Sequence, residues 1–234
     1  MRNLLGSSLE KQALEQAIDA VVTIDPNNRI IFFNAAAERL WGLKRSEVMG
    51  QNVKILVPPH LQAGHDGLIN ANRQGAKDKI VGTSRDIELE RRDGVKLWVN
   101  LALSRVKSGS KVYYTAFVKD VSAEREARET TRQILDQALD AVVSINDQNI
   151  ITYFNRSAEQ LWGYEADEVV GQNVKMLVPR EFRANHDTFV NANRTTGQDK
   201  IVGTSRDVEI ERKDGERIWA NLSLSKVRAG EKIF

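Results

Sequence analysis

The segment HDGLINANRQGAKDKIVGTSRD at residues 65–86 decides how this chain is organised, because it returns as HDTFVNANRTTGQDKIVGTSRD at residues 186–207. His65 recurs as His186, so the spacing is 186 − 65 = 121 residues, and the same spacing pairs Trp41 with Trp162. Such a period is far longer than the roughly 20–50 residues of a solenoid repeat. The chain is therefore predicted to contain one globular domain twice.

Composition restricts the classes of protein to which the chain can belong. Its 234 residues suit two domains of about 100–120 residues. The 34 basic and 32 acidic side chains give a net charge of +2 without a basic run, so no nucleic-acid partner is predicted. No membrane segment is predicted, and the absence of cysteine excludes disulfides and favours the cytoplasm. No nucleophile–base set or phosphate-binding glycine loop is visible, so we do not expect an enzyme.

Each copy has the pattern of an α+β domain. AVVTID and RIIFFN flank a turn and predict a hairpin, and AAAERLWG predicts a short helix capped by Asn34 and ended by Gly42. A longer helix is expected to begin at the proline pair Pro58 and Pro59 and to run to about Gly75. Three strands separated by glycine turns follow. The order predicts a five-stranded antiparallel sheet with helices on one face.

Four segments follow from the repeat. Residues 1–13 are predicted to form an N-terminal helical cap, 14–121 the first domain, 122–134 a helical linker and 135–234 the second domain. Ser122 is the expected N-cap of the linker, which is either a signalling or dimerising coil or a plain solvated helix. The second copy lacks a counterpart of the last strand, TAFVKDV. We therefore expect a fragment whose downstream signalling domain lies outside this chain.

Both histidines that open the repeated segment fall on an apolar stripe of the longer helix. Leu61, Leu68 and Ile69 have the spacing of one helical face, and His65 lies among them. The second copy repeats the stripe with Phe182, His186, Phe189 and Val190. An inward imidazole needs a partner, because an unsatisfied buried polar group costs about 1–3 kcal/mol. The spacing leaves two interpretations open, a hydrogen-bonded core histidine or a ligand of iron or another metal.

Arg85 adds a charge to the same interior. Strict alternation in IVGTSRDIEL places it on the face that carries valine, isoleucine and leucine, unless a bulge at Gly82 reverses that face. A buried cation needs an anion, and a salt bridge to Asp86 or Glu88 would be the purely structural solution. An apolar pocket with one arginine and one histidine also suits a ligand that combines a metal, an apolar face and anionic groups. Haem has all three.

Each copy resembles a PAS domain over nearly its whole length. The segments IIFFNAAAERLWG, VMGQNVKILVP, RRDG and YYTAFVKDVS stand where that family has its strand B and first helix, its helix D region, its G–H turn and its closing strand. More narrowly, HDGLI, GTSR and LALSRV are similar to the haem-binding PAS oxygen sensors, namely the rhizobial oxygen-sensing histidine kinases and the bacterial direct oxygen sensor phosphodiesterase. The resemblance implies two PAS domains joined by a helical linker.

The resemblance also implies roles for individual residues. His65 and His186 match the proximal histidine that ligates haem iron, and Arg85 and Arg206 match the distal arginine that pairs with a propionate and swings to bound oxygen. The phosphodiesterase has an axial methionine where this chain has threonine, at Thr83 and Thr204, so no sixth protein ligand is expected there. The aliphatic lining of the distal pocket would consist of Ile80, Leu101, Leu103, Ile201, Leu222 and Leu224.

Three functions remain open at this level. The first is a sensory input module with one haem b in each domain, two per chain, that senses oxygen or another diatomic gas, with an aerotaxis chemoreceptor as the favoured output. The second is an FAD-binding redox or energy sensor, which would leave the repeated histidine unexplained. The third is a cofactor-free PAS module that forms a homodimer. We favour the first because it gives a role to the histidine and to the arginine in both copies.

Overall fold

The computed structural model describes residues 8–73, 81–195, 202–229 and 232–233. It divides the chain into two compact units, Met1–Ala127 and Arg128–Phe234. Both units combine strands with short helices in the order that the repeat predicts, so the α+β expectation is confirmed.

Among its described residues, the first unit contains one helix before its sheet and three within the fold. Its elements, in chain order, are α1 (Ser8–Glu15), β1 (Ala20–Ile24), β2 (Ile30–Phe33), α2 (Ala35–Trp41), α3 (Arg45–Val48), a 3-10 turn (Val53–Leu56), α4 (Pro59–Arg73), β3 (Ser84–Glu90), β4 (Lys96–Ser108) and β5 (Lys111–Asp120). The predicted extension of α4 to about Gly75 lies outside the described residues.

The five strands of the first unit form one antiparallel sheet in the order β2-β1-β5-β4-β3. The core lies between one face of this sheet and the helices, and it is built around Phe33, Trp41, Val99 and Val118. The predicted sheet with helices on one face is therefore confirmed. The long strand β4 lies between β3 and β5, so it links the strand that carries Arg85 to the centre of the domain.

Asn34 joins the hairpin to α2. Its Oδ1 accepts hydrogen bonds from the backbone N–H groups of Val21 and Ala37, both at 2.9 Å, and its Nδ2 donates to two backbone carbonyls. The helix ends at Gly42, whose φ of 67° is the left-handed conformation that glycine adopts without strain. Both predicted caps are confirmed.

The second unit repeats these elements up to its last strands. They are α5 (Ser122–Asp136), which enters it from the first unit, β6 (Val143–Ile145), β7 (Ile151–Phe154), α6 (Arg156–Trp162), α7 (Ala166–Val169), two 3-10 turns (Val174–Leu177 and Arg180–Phe182), α8 (Arg183–Thr195), β8 (Ser205–Glu211), β9 (Arg217–Ser223), β10 (Arg228–Ala229) and β11 (Lys232–Ile233).

Strand pairing in the second unit is less complete than in the first. Its strands form three separate antiparallel pairs, β6 with β7, β8 with β9 and β10 with β11. In the first unit β5 pairs with both β1 and β4, and within the described part of the second unit no strand occupies the equivalent place. Among the described residues, the buried cluster around Ile151, Phe154 and Val169 is smaller than that of the first unit.

The helix α5 occupies the segment where the sequence predicts a linker. It begins at Ser122, whose Oγ accepts a hydrogen bond from the Trp98 N–H at 2.9 Å. The division between the two units falls within this helix. None of the described helices is both long and apolar enough to cross a membrane.

Candidate cofactor site

The helix α4 carries His65 on its flank rather than on its innermost face. Asp66 and Ile69 face the rest of the domain, His65 is half-buried, and Leu61 and Leu68 are 53% and 64% exposed. The prediction that this apolar stripe packs on the core is therefore wrong for the two leucines. At about 100° per residue, the two leucines lie roughly 140–160° around the helix axis from Asp66. Since Asp66 faces the domain, the leucines face away from it. The exposed stripe leaves an apolar wall beside His65.

Asp66 fixes α4 to the hairpin turn and to the 3-10 turn. Its carboxylate accepts hydrogen bonds from Asn28 Nδ2 at 2.6 Å and from Asn52 Nδ2 at 2.9 and 3.1 Å. Burial alone would raise the pKa of Asp66, but the hydrogen bonds from the two asparagines, together with the neighbouring positive charges, outweigh burial and hold the pKa below its usual value. Because Asp66 follows His65 directly, its contacts also set where the imidazole points.

The second unit has the same contact around Asp187. Asn149 and Asn173 donate to its Oδ1 at 2.8 and 3.0 Å. The sequence reasoning did not identify these asparagines, although the repeat contains the signal. Both copies have a His-Asp pair, and both asparagines recur at the spacing of 121 residues that separates the two histidines.

Each histidine has one ring nitrogen enclosed by the protein. Nδ1 of His65 and Nδ1 of His186 are buried and have no hydrogen-bond partner among the described residues. Burial is the main cause that lowers the pKa of both imidazoles, and the charge of Arg85 lowers that of His65 further. The structure therefore favours the neutral imidazole, which is the form that ligates a metal. The unpartnered Nδ1 argues against the interpretation of each histidine as a core residue whose two ring nitrogens are both hydrogen-bonded.

Arg85 lies on the predicted face of β3 but not at the predicted depth. It pairs with Leu101 across the strands, so no reversal occurs despite the φ of 78° at Gly82. Along the same face Leu89 is buried, Ile87 half-buried and Arg85 exposed, because β3 leaves the core towards its start at Ser84. The prediction of a buried Arg85 is therefore wrong, and Arg206 is likewise exposed.

The carboxylates that could have neutralised Arg85 are engaged elsewhere. Asp86 accepts a hydrogen bond from Asn100 at 2.7 Å and lies 3.6 Å from Arg125, and Glu88 pairs with Lys96 at 2.9 Å. The positive charge of Arg85 acts on His65, where it adds a smaller contribution to the lowering of the imidazole pKa that burial causes. In the second unit the neighbouring charge that acts on His186 is Asp187.

The other predicted site residues form an aliphatic wall only in part. Leu101, Leu103 and Leu222 are half-buried, whereas Leu224, Thr83 and Thr204 are exposed. Ile80 and Ile201 lie outside the described residues. In the first unit Arg85 pairs across the strands with the half-buried Leu101 and is near enough to His65 for its charge to act on the imidazole.

This donor set fits a haem better than it fits a metal ion bound by protein alone. Within the described ranges no group of three or more His, Cys, Asp or Glu side chains could hold a metal. A metal at His65 would therefore have to bring most of its own ligands, as the iron of a porphyrin does. The apolar wall suits the porphyrin face, and Arg85 suits a propionate.

Comparison with known sequences agrees with the repeat. A family profile described as PAS fold matches residues 11–121 and again residues 129–234. The oxygen sensor protein DosP of Escherichia coli is 37% identical over 221 residues, which are 92% of this chain and 27% of DosP. The sensor protein FixL of Bradyrhizobium diazoefficiens is 34% identical over 116 residues, which are 50% of this chain and 23% of FixL. The chain spans about a quarter of the length of these two relatives.

Solved structures give a likeness of fold alone. The PAS domain of an HTR-like protein from Haloarcula marismortui is 22% identical and covers 48% of this chain and 89% of its own, with a TM-score of 0.39. The PAS domain of BvgS from Bordetella pertussis is 11% identical and covers 54% and 93%, with a TM-score of 0.43.

Proposed function

The chain belongs to the PAS family, and on this basis we propose that it is a sensory input module in which each domain holds one haem b and senses oxygen or another diatomic gas. The observation that carries the proposal is the repeated histidine, half-buried on a helix flank with an enclosed and unpartnered Nδ1 in both units. Because Nδ1 is enclosed, Nε2 is the nitrogen of each imidazole that is left to contact a ligand, and a cofactor-free module gives this repeated placement no role.

In each site the helix that carries the histidine would line one side of the haem, and the residues of the strands would line the other. A bound haem would supply an iron with one coordination position open to a diatomic gas. His65 offers a neutral imidazole, and since its Nδ1 is enclosed, Nε2 is the nitrogen that a ligand from the cleft would reach. Leu101 and Leu103 would exclude water from the opposite side. Arg85, exposed and beside Leu101, could pair with a carboxylate or donate a charge-assisted hydrogen bond to a polar ligand.

The relatives support oxygen as the ligand and leave the output to experiment. DosP is an oxygen sensor and FixL a sensor protein by name. We propose further that the module acts in the cytoplasm, forms a homodimer and passes its signal to a chemoreceptor or another signalling domain outside this chain, without catalysis of its own. An FAD-binding redox sensor is the alternative that the first experiment has to distinguish.

The test is the absorption spectrum of the purified chain, recorded before and after addition of hemin and again under oxygen and under nitrogen after reduction. A Soret band that shifts between the two gases is the expected result. A flavin spectrum would replace haem by FAD and keep the sensory role. A chain that stays colourless after hemin addition would refute the cofactor proposal and favour the dimerisation module.

A further inference from the structure

The two histidine helices are attached to their sheets differently, although the sites they carry are built from the same repeated sequence. In the second unit, Glu211 at the end of β8 is only 8% exposed and lies among three arginines. Its Oε1 is 3.3 Å from Arg180 and 3.5 Å from Arg183, and its Oε2 is 3.9 Å from Arg217. We call these four residues the Glu211 network.

The network ties the beginning of α8 to the strands. Arg180 belongs to the 3-10 turn before the helix, Arg183 is the first residue of α8, and Arg217 is the first residue of β9. Arg217 also donates two hydrogen bonds of 2.7 Å to Glu181. These bonds make a second link between the 3-10 turn and β9. His186 follows Arg183 by three residues, less than one turn of helix.

The first unit has no equivalent network among its described residues. At the spacing of 121 residues, Arg180 corresponds to Pro59, Arg183 to Gln62 and Arg217 to Lys96. Gln62 donates to the Val57 carbonyl at 2.9 Å, as Arg183 donates to Val178 at 2.8 Å, but it carries no charge for the strands. Glu90, the counterpart of Glu211, is exposed, and Lys96 pairs with Glu88 instead.

We propose that Glu211 is a positioning residue that holds the first turn of α8, and with it His186, against the strands, and that it slows the loss of haem from the second site by a constraint that the first site lacks. The inference rests on the haem proposal. A helix that swings away from the sheet separates the imidazole from the opposite wall, so a carboxylate that opposes this motion prolongs the bound state. Two sites of similar lining would then differ in how long they retain the group.

The chain itself supplies matched controls. Glu211→Gln removes the charge at nearly constant volume, and Glu90→Gln makes the same change at the exposed counterpart. Arg183→Gln gives the second unit the residue that the first unit has, and should keep the bond to the Val178 carbonyl while losing the link to Glu211. His65→Ala leaves only the second site to be observed, and His186→Ala leaves only the first.

The primary measurement is hydrogen exchange on the haem-free full chain. Glu211→Gln and Arg183→Gln should raise exchange in residues 180–190, whereas Glu90→Gln should leave residues 59–69 unchanged. Hemin transfer from the loaded chain to apomyoglobin is the second measurement. In the His65→Ala background both second-unit variants should speed hemin loss on the order of three- to tenfold, the range for a few partly exposed ion pairs. The iron–histidine stretching band of the ferrous form should broaden as well.

Three outcomes would decide the matter. Unchanged exchange and unchanged hemin loss in both Glu211→Gln and Arg183→Gln would overturn the inference. An equal acceleration by Glu90→Gln at the first site would also overturn it, because the effect would then follow from net charge. If the chain takes up no hemin, the proposed function fails, and the exchange data alone decide whether Glu211 positions α8.

Discussion

Replacing Asn34 with alanine should destabilise the first domain by about 2–4 kcal/mol, because this side chain is fully buried and both its oxygen and its nitrogen make hydrogen bonds. Loss of the helix cap at Ala37 costs about 1 kcal/mol, and the N–H of Val21, left buried without an acceptor, costs about 1–3 kcal/mol. The carbonyls of Leu14 and Asp19 also lose a donor, but Asp19 is exposed and water can replace the amide there. The expected loss of about 2–4 kcal/mol therefore comes from the backbone N–H groups of Val21 and Ala37.

Hydrogen exchange of the full chain measures this loss where it occurs. A change of 2–4 kcal/mol corresponds to exchange that is about 30- to 1000-fold faster at the amides of Val21 and Ala37. Asn155 makes the same four contacts in the second unit, so Asn155→Ala should move the effect to β6, β7 and α6 and leave the first unit unchanged. Less than threefold acceleration in either variant would refute the reasoning, since it would mean that the buried N–H groups find other partners.

Three further predictions concern single contacts. Arg85→Ala should raise the pKa of His65 in the haem-free chain, but not to its ordinary value because burial remains, and NMR titration of the ring protons measures the shift. The guanidinium carbon of Arg125 lies 3.8 Å from the centre of the Trp98 ring. A double-mutant cycle with alanine at both positions should therefore give a coupling free energy of about 0.5 kcal/mol, measured by hydrogen exchange at the start of α5. Asp93 has a pKa of about 2 because of hydrogen bonds from an arginine two residues earlier. Its contribution to stability is present above about pH 4 and is lost as the pH falls towards 2; Asp93→Asn should therefore flatten the acid side of a stability profile.

The parts of the fold that depend on local sequence could be predicted. Asn34 caps α2 and Gly42 ends it because both roles are decided within one turn of helix. The start of α4 at Pro59 follows from the same short-range chemistry. The face of Arg85 was also predictable, because alternation along a strand fixes it even where a glycine with positive φ precedes the strand.

The parts that depend on contacts between distant segments could not be predicted. Hydrophobic spacing placed Leu61 and His65 on one stripe, but the rotation of α4 is set by Asp66 and its partner Asn28, which lies 38 residues away. The burial of Arg85 was overestimated, because alternation along a strand predicts the face on which a side chain lies but not how deeply it is buried. The Glu211 network is likewise invisible to local patterns, since its four members come from four different elements.

The central claim is that each unit binds one haem through its histidine, and the stoichiometry of hemin binding tests it most directly. Titration of the full chain should reach two hemin per chain, His65→Ala and His186→Ala should each reach one, and the double variant should reach none. His60→Ala is the matched control, because this third histidine is exposed and the second copy has Glu181 in its place. Two hemin bound by either single variant, or one lost in His60→Ala, would contradict the account.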